Sequence, residues 1–423
     1  MWIWQQPEWP RGRLDTRPLM GTLNATLATV APLVSQGGGL KTDQRLRLEA
    51  TLLGEEIGAS ARLSGISLER GAIRTALHQA LGLADEGEVR PVPPVVETFV
   101  DVTLEAVRTA FLPLGEAQLL EWHRRLAPQL PRSAGLVVGE WRDAPFEEVS
   151  GRYGLKRLRY RAPGDDRAAV SAELETFFAR LEEEEPGLDG VGHLQALKLH
   201  AHWLALSPLA LGNGLIGRLL LARWLTRAEG IMALQAEGEL SALPDLEMLE
   251  AYAWRRQALA PVLVDAQGEW QALRETCFGR PAAPRSSLDA GLPSREPEVP
   301  PGDLAPWMRW WLLRLREGAR LGQAHFSRVR RAERLWLEHA RTPLNARQRE
   351  LVLTLLERDD DAGVARSDYR DLVATSDPTA ARDLADLTAK GVLKSTGVGR
   401  GTRYRLAALG GSGLGGSGLG GSG

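Results

Sequence analysis

"SPLALGNGLIGRLL" spans residues 207–220 and reads as a tight loop running into a helix. Gly212, Asn213 and Gly214 stand in succession, so three backbone amides can curl into a cradle. The apolar run from Leu215 to Leu225 reads as the first turns of the helix that follows. Amides at a helix N-terminus, together with the positive end of the dipole, make an anion site. What the stretch lacks is equally plain. Between Ser207 and Leu215 there is no acid, no base and no metal ligand.

At 423 residues, the surrounding chain is long enough for two or three domains and a well-buried core. Its composition, 43% hydrophobic and 25% charged, is that of a soluble globular protein. A formal net charge of −2 excludes a chain that seeks polyanions as a whole, so any nucleic-acid contact must come from a local patch. Cys277 is the one cysteine, which excludes an internal disulfide framework and a cysteine-based zinc site. No apolar run approaches the length that spans a bilayer, and the opening MWIWQQPEWPRGR does not read as a signal peptide. The expectation is a cytoplasmic protein with no membrane partner.

Most of the chain outside the loop is helical in pattern. Residues 1–17 read as an extended aromatic segment tucked against a body, and Leu23 to about Gly82 carries apolar residues at three- and four-residue spacing. PVPP at 91–94 breaks the pattern, which resumes from Val96. Short alternating runs between glycines at 134–162 predict a β-hairpin. Helices are expected again at Arg167–Glu185 and from Val191 through Leu206. Residues 280–303 are rich in Pro, Ser and Arg and read as a linker or long surface loop, followed by two amphipathic helices, PWMRWWLLRLREG and RRAERLWLEHAR. The tail from Leu409 repeats Leu-Gly-Gly-Ser-Gly and cannot repay the entropy of ordering.

The clearest small domain lies at the C-terminal end. Asn345 caps a helix to about Glu357, ARSDYRDLVAT gives a short second helix, and Ser376-Asp377-Pro378 starts a third that Gly391 ends. Two strands around a Gly-rich turn follow in VLKSTGVGRGTRYRLA. The succession resembles the winged helix-turn-helix domains of bacterial regulators, whose third helix carries the pattern held here by Thr379, Ala380, Arg382, Asp383, Leu384, Leu387, Lys390, Gly391 and Leu393. That likeness implies a DNA surface with Thr379 and Arg382 in a major groove and Lys394, Arg400 and Arg403 on phosphates. Asp377, Asp383 and Asp386 on the same helix weaken the electrostatic footprint, so DNA contact and protein docking both stay open.

With its context, the central loop resembles the motif of Fic (Fido-fold) proteins, H-P-F-x-D/E-G-N-G-R-x-x-R. Further anchors stand in order: WIWQQPEWP at 2–10, WHRRL at 122–126, GEWR at 139–142, VSGRYGLKRLRYRAP at 149–163 and TPLNARQRELVL at 342–353. The resemblance implies a mainly α Fic/Fido helical bundle with a β-hairpin flap, plus the C-terminal winged helix-turn-helix. It divides the chain into an N-terminal Fic-associated extension at 1–90 and a Fic core at 91–279 with the flap near 149–163. A linker at 280–303, a helical connector at 304–341, the winged helix at 342–407 and a flexible tail at 408–423 follow. The activity implied is AMP transfer from ATP to a hydroxyl side chain of a target protein.

Residue by residue, the motif is broken. The His position holds Ser207, the acid position Leu211 and the first Arg position Leu215, while Gly212, Asn213, Gly214 and Arg218 are kept as nucleotide- or phosphate-binding candidates. Serine cannot act as a general base near neutral pH, a loss of about two to four orders of magnitude in rate. Leucine offers no oxygen to Mg²⁺, and Leu215 removes a charge-assisted phosphate contact. No catalytic residue is therefore expected; ATP binding is expected to be weak and Mg²⁺ is not expected. The inhibitory motif of many Fic proteins, Ser/Thr-x-x-x-Glu-Gly/Asn, is matched by Ser60 to Gly65 with Ser64 at the Glu position. That loss fits a chain with no activity to restrain; alternatively, it leaves Arg218 to meet an anion.

Two readings follow. The first is a degenerate homologue acting by binding or regulation; the second is an active protein nucleotidyltransferase with a base from outside the usual motif. A protein partner or target is expected in either case, a homodimer is compatible with both, and Lys156, Arg157, Arg159 and Arg161 of the hairpin form a basic cluster for partner docking or edge protection. His193, His200 and His202 lie on one helix, but with no carboxylate to complete a ligand set they read as core residues, as does His123.

Overall fold

The computed structural model describes residues 2–37, 39–83, 91–131, 135–150, 157–183, 192–238, 246–259, 272–273, 276, 280–281, 297–299, 302–357 and 363–407. Two compact units divide the chain, Met1–Gln323 and Ala324–Gly423. The architecture is mainly α with short β-hairpins, as the sequence pattern predicts. Among the described residues, no helix is long and apolar enough to cross a membrane.

The first unit holds α1 (Met20–Gly37), α2 (Thr42–Leu63), α3 (Arg70–Ala80), α4 (Pro94–Arg108), α5 (Glu116–Leu126), α6 (Arg167–Glu183), α7 (Gly192–Leu206), α8 (Asn213–Glu237) and α9 (Leu246–Tyr252). Local chemistry fixes several starts. Glu69 accepts from the amides of Gly71 and Ala72 at 2.7 and 2.6 Å and so caps α3, and Pro94 opens α4. Helix α8 is the hub: it contacts α1, α2, α4, α5, α7 and α9. Leu215, Leu220, Trp224, Leu225 and Leu234 are buried around its circumference, the pattern of a helix enclosed on all sides.

The expected hairpin is present as β1 (Glu147–Ser150) and β2 (Arg157–Arg161), paired antiparallel with Val149 opposite Leu158. The N-terminal aromatic segment lies against its base. Instead of running extended, this segment turns at Ile3–Gln5 in a 3-10 helix that buries Ile3. The indole N–H of Trp4 donates to the Arg161 carbonyl at 2.8 Å, and Trp2 meets Tyr160 edge-on. Trp9 reaches Glu173 of α6 at 3.2 Å.

Of the stretch 280–303, only residues 280–281, 297–299 and 302–303 are among the described residues. Strands β3 (Arg280–Pro281) and β4 (Pro297–Val299) pair with each other, and Arg13 and Leu304 donate to the carbonyls of Gly302 and Arg13, each at 2.8 Å. The two helices expected after it are one, α10 (Ala305–Glu338). Gly318 and Gly322 are sites of close approach: a Cβ at Gly318 would stand 2.1 Å from the Ala258 carbonyl oxygen, and one at Gly322 3.0 Å from that of Arg256. Trp307 and Trp311 of the first half of α10 flank His200 of α7, with ring centroids 5.6 and 5.5 Å away.

The second unit contains the rest of α10, α11 (Ala346–Glu357), α12 (Arg366–Leu372), α13 (Asp377–Ala389), β5 (Leu393–Thr396) and β6 (Arg403–Leu406). Asn345 and Gln348 form a reciprocal capping box: the Gln348 amide donates to Asn345 Oδ1 at 2.9 Å, and the Asn345 amide donates to Gln348 Oε1 at 3.0 Å. Leu335, Leu351, Val352, Tyr369, Leu384, Leu387 and Leu406 make its core.

Candidate functional site

The loop of residues 207–212 is held as a rigid frame. Ser207 sits at φ 42°, a left-handed conformation that costs a non-glycine residue on the order of 1–2 kcal/mol. Its hydroxyl donates to the Leu204 carbonyl at 2.7 Å, and its own carbonyl accepts from Arg142 Nε at 2.9 Å. Asn213 closes the loop: its side-chain amide donates to the Leu209 carbonyl at 2.7 Å, and its Oδ1 accepts the Leu209 amide at 2.9 Å. Gly212 takes φ 84° just ahead of α8, where a Cβ would press to 3.1 Å from Leu130.

Arg142 is the residue that sequence reasoning missed. It is 3% exposed, and its guanidinium donates to the carbonyls of Ala144, Pro163, Gly164 and Ser207, tying the loop to both ends of the β1–β2 hairpin. The amide of Arg142 adds a bond to Pro208 at 2.9 Å. A lone Arg at the end of GEWR carries no local signal of this role.

His123 is built into the same frame. Its Nδ1 accepts from the Gly139 amide at 3.0 Å, which fixes the tautomer, so Nε2–H donates to the Leu211 carbonyl at 3.1 Å. Burial lowers its pKa and favours the neutral ring. Both ring nitrogens are thus used for architecture.

At the motif's far end, the structure brings together two stretches well apart in sequence. Arg218 of α8 donates from Nε to Ser60 Oγ at 2.8 Å and from a terminal nitrogen to Ser64 Oγ at 2.7 Å and the Ser60 carbonyl at 3.1 Å. Its other terminal nitrogen lies against Gly214, where a Cβ would stand 3.2 Å from it. Gly65, at φ 80°, turns the chain out of α2 just after this contact. Leu215 is buried, and with Arg218, Ser60, Glu56, Thr103 and Leu219 it lines a cavity of about 20 Å³.

The contact continues a polar face along α2. Glu49 meets Arg108 at 2.8 Å, and Glu56 meets Arg255 at 3.7 Å, with Arg255 also 3.7 Å from Glu229. Burial pushes the pKa of Glu49 and of Glu56 up to about 7, against the pull of their arginines.

The remaining candidates lie elsewhere. His202 packs on Trp9 and Phe177 and meets Arg180 at 3.0 Å, so burial and Arg180 hold its pKa well below the ordinary value. His193 is buried, and burial lowers its pKa too. In the flap, Lys156 lies outside the described residues, as do the side chains of Arg157 and Arg159, while Arg161 pairs with Asp165 at 2.7 Å. In the second unit Arg382 and Lys394 are exposed, Thr379 is half-buried, Arg403 pairs with Asp368 at 3.0 Å, and the side chain of Arg400 lies outside the described residues.

Residues 2–83 match a family model described as a domain of unknown function, DUF4172. No curated protein matches the chain. It is similar to a solved Fic family protein from Desulfovibrio desulfuricans G20, at 14% identity and a TM-score of 0.47, over 95% of this chain and 99% of that one. It is also similar to a Fic domain containing signaling protein from Bacteroides thetaiotaomicron, at 16% identity and a TM-score of 0.45, over 72% and 97%. A third similar structure is Fic-1 from C. elegans, at 15% identity and a TM-score of 0.41, over 75% and 74%.

Proposed function

We propose that the chain is a catalytically degenerate homologue of the protein AMP-transferases its motif resembles, acting by binding or regulation. The observation that carries this reading is the state of the motif positions. The Ser207 hydroxyl donates into its own helix end, Leu211 and Leu215 are apolar, and Arg218 is engaged by Ser60 and Ser64. Mg²⁺ needs oxygen donors, and positions 211 and 215 supply none, so these residues do not fit a metal–triphosphate complex. Gly212, Asn213 and Gly214 with Arg218 are left as a weak ATP or phosphate cradle.

A surviving transferase would need a base from outside the motif. His123 is an imidazole that touches the loop, and both its nitrogens are already bonded, which favours the degenerate reading.

The test is incorporation of α-labelled ATP, GTP, CTP and UTP into the protein and into a bacterial lysate, with Mg²⁺ or Mn²⁺. The same assay is run on the variant Ser207→His/Leu211→Asp/Leu215→Arg. The reading expects no label with the parent chain. Label on the parent chain, lost in Arg218→Ala, would overturn it. Label with the restored variant alone would show that the frame persists and only the chemistry is gone.

A further inference from the structure

Helix α2 brings a carboxyl to the same place as the serines that hold Arg218. Glu56, Ser60 and Ser64 follow one another at four-residue spacing, so they share one face of the helix. Glu56 and Ser60 line the cavity of about 20 Å³ together with Arg218 and Thr103 of α4. That volume has room for one water molecule. Glu56 is 6% exposed, and its Oε2 has no hydrogen-bond partner among the described residues.

The charged groups around this carboxyl serve it poorly. Arg255, in the buried stretch 253–259, stands 3.7 Å from Glu56, beyond hydrogen-bond reach, and 3.7 Å from Glu229 of α8. Its guanidinium donates instead to the Gln257 carbonyl at 3.2 Å and the Thr226 hydroxyl at 3.4 Å. His193 of α7 faces Glu229 and Arg255, and burial favours its neutral ring. Burial above all, with Glu229 adding to it, pushes the Glu56 carboxyl up to about 7 against the pull of Arg255. Arg218 is the cation that lines the cavity with it.

We infer that Arg218 changes partners with the charge on Glu56: it rests on Ser60 and Ser64 while the carboxyl is neutral, and crosses the shared cavity to the carboxylate once the proton has left. The exchange loosens the last turn of α2, because Ser64 closes that turn on the Ser60 carbonyl and gives up its tie to α8. The direction follows from proton linkage. A carboxyl paired with a guanidinium returns toward its ordinary range, so rising pH favours the exchanged arrangement and falling pH restores the serine contact. The result is a proton-operated latch between α2 and α8. It goes beyond the binding reading above and holds whether or not the loop at 207–218 carries a nucleotide, so the labelling assay and the exchange assay fail separately.

Hydrogen exchange of the full chain at about pH 6 and about pH 8, corrected for the intrinsic base-catalysed rate, tests the latch. The amides of Ser64, Gly65 and Ile66 donate to carbonyls in the last turn of α2. They are expected to exchange about tenfold faster at the higher pH. Glu56→Gln cannot ionise and is expected to lose that rise, whereas Glu49→Gln, two turns earlier on α2, is expected to keep it. Arg218→Ala removes the moving part, so exchange at these amides is expected to be fast at both pH values. In the parent chain, the Arg218 Nε–H resonance, assigned by its absence from Arg218→Lys, is expected to shift with a midpoint near neutral pH. A resonance that stays constant, or an equal rise in Glu56→Gln, would overturn the exchange of partners. So would a rise at 253–259 in place of 64–66, which would show the carboxylate turning to Arg255, or a rise spread evenly over α8.

Discussion

Arg218 on α8 bridges to Ser64 at the end of α2 over 2.7 Å, joining helices whose contacting residues are 154 positions apart. The resemblance to the inhibitory motif implies a glutamate at the position of Ser64, and here a hydroxyl makes the contact instead.

Stability should report this contact. Ser60→Ala/Ser64→Ala removes two side-chain acceptors of a guanidinium and is expected to cost about 1–3 kcal/mol. Ser64→Glu supplies a carboxylate at the same point and is expected to hold or gain up to about 1 kcal/mol. Urea unfolding measures both; an equal loss in Ser64→Glu and the double alanine variant would show that the guanidinium does not meet the new carboxylate.

The buried carboxyls of α2 predict an unusual pH profile. Glu49 and Glu56 have pKa values of about 7 when folded, against an ordinary 4.5. The folded chain holds these protons to higher pH than the unfolded chain does, so each carboxyl's contribution to stability is lost as pH rises through that window. His123, His193 and His202 act oppositely: their lowered pKa values cost stability as pH falls below the ordinary 6.5. Glu56→Gln does not titrate, so its stability relative to the parent should rise by on the order of 2 kcal/mol from about pH 5 to about pH 8. Denaturant titrations across that range, showing a constant difference, would rule this out.

The N-terminal extension should act on the flap. Trp4→Phe keeps the ring and loses the indole N–H that donates to the Arg161 carbonyl. The expected cost is about 1 kcal/mol, with faster amide hydrogen exchange in β2 than in α8. Exchange rising equally everywhere would mean that Trp4 supports the whole unit rather than the hairpin.

Asp383→Asn tests the centre of the second unit. The change removes the charge that Arg347, Asn345 and Tyr369 converge on, and is expected to cost about 1.5–3 kcal/mol. Limited proteolysis should then cut within 324–407 first, leaving the first unit intact.

Much of this was legible in the residues. The helical periods, the Asn345 cap and the hairpin at 147–161 follow from local patterns, because a period or a cap is decided within a few residues. The loss of base, acid and first arginine at Ser207, Leu211 and Leu215 is likewise a fact of the sequence. One signal was present but unread: Asp383 falls on the 380–384–387 apolar stripe of α13, the position of a buried residue rather than a surface acid.

Tertiary structure alone decided what these residues meet. Arg142 became the clamp on Ser207 and the hairpin, Gly318 became a close-approach site within one long helix, and Arg218 found Ser60 and Ser64. Arg142 and Ser207, Gly318 and Ala258, and Arg218 and Ser60 lie 60 to 158 positions apart, where local periodicity carries no information. Burial then set the chemistry. Removing Glu56 and His123 from water shifts their protonation in opposite directions, a consequence of the charge each would carry and not of its place in the sequence.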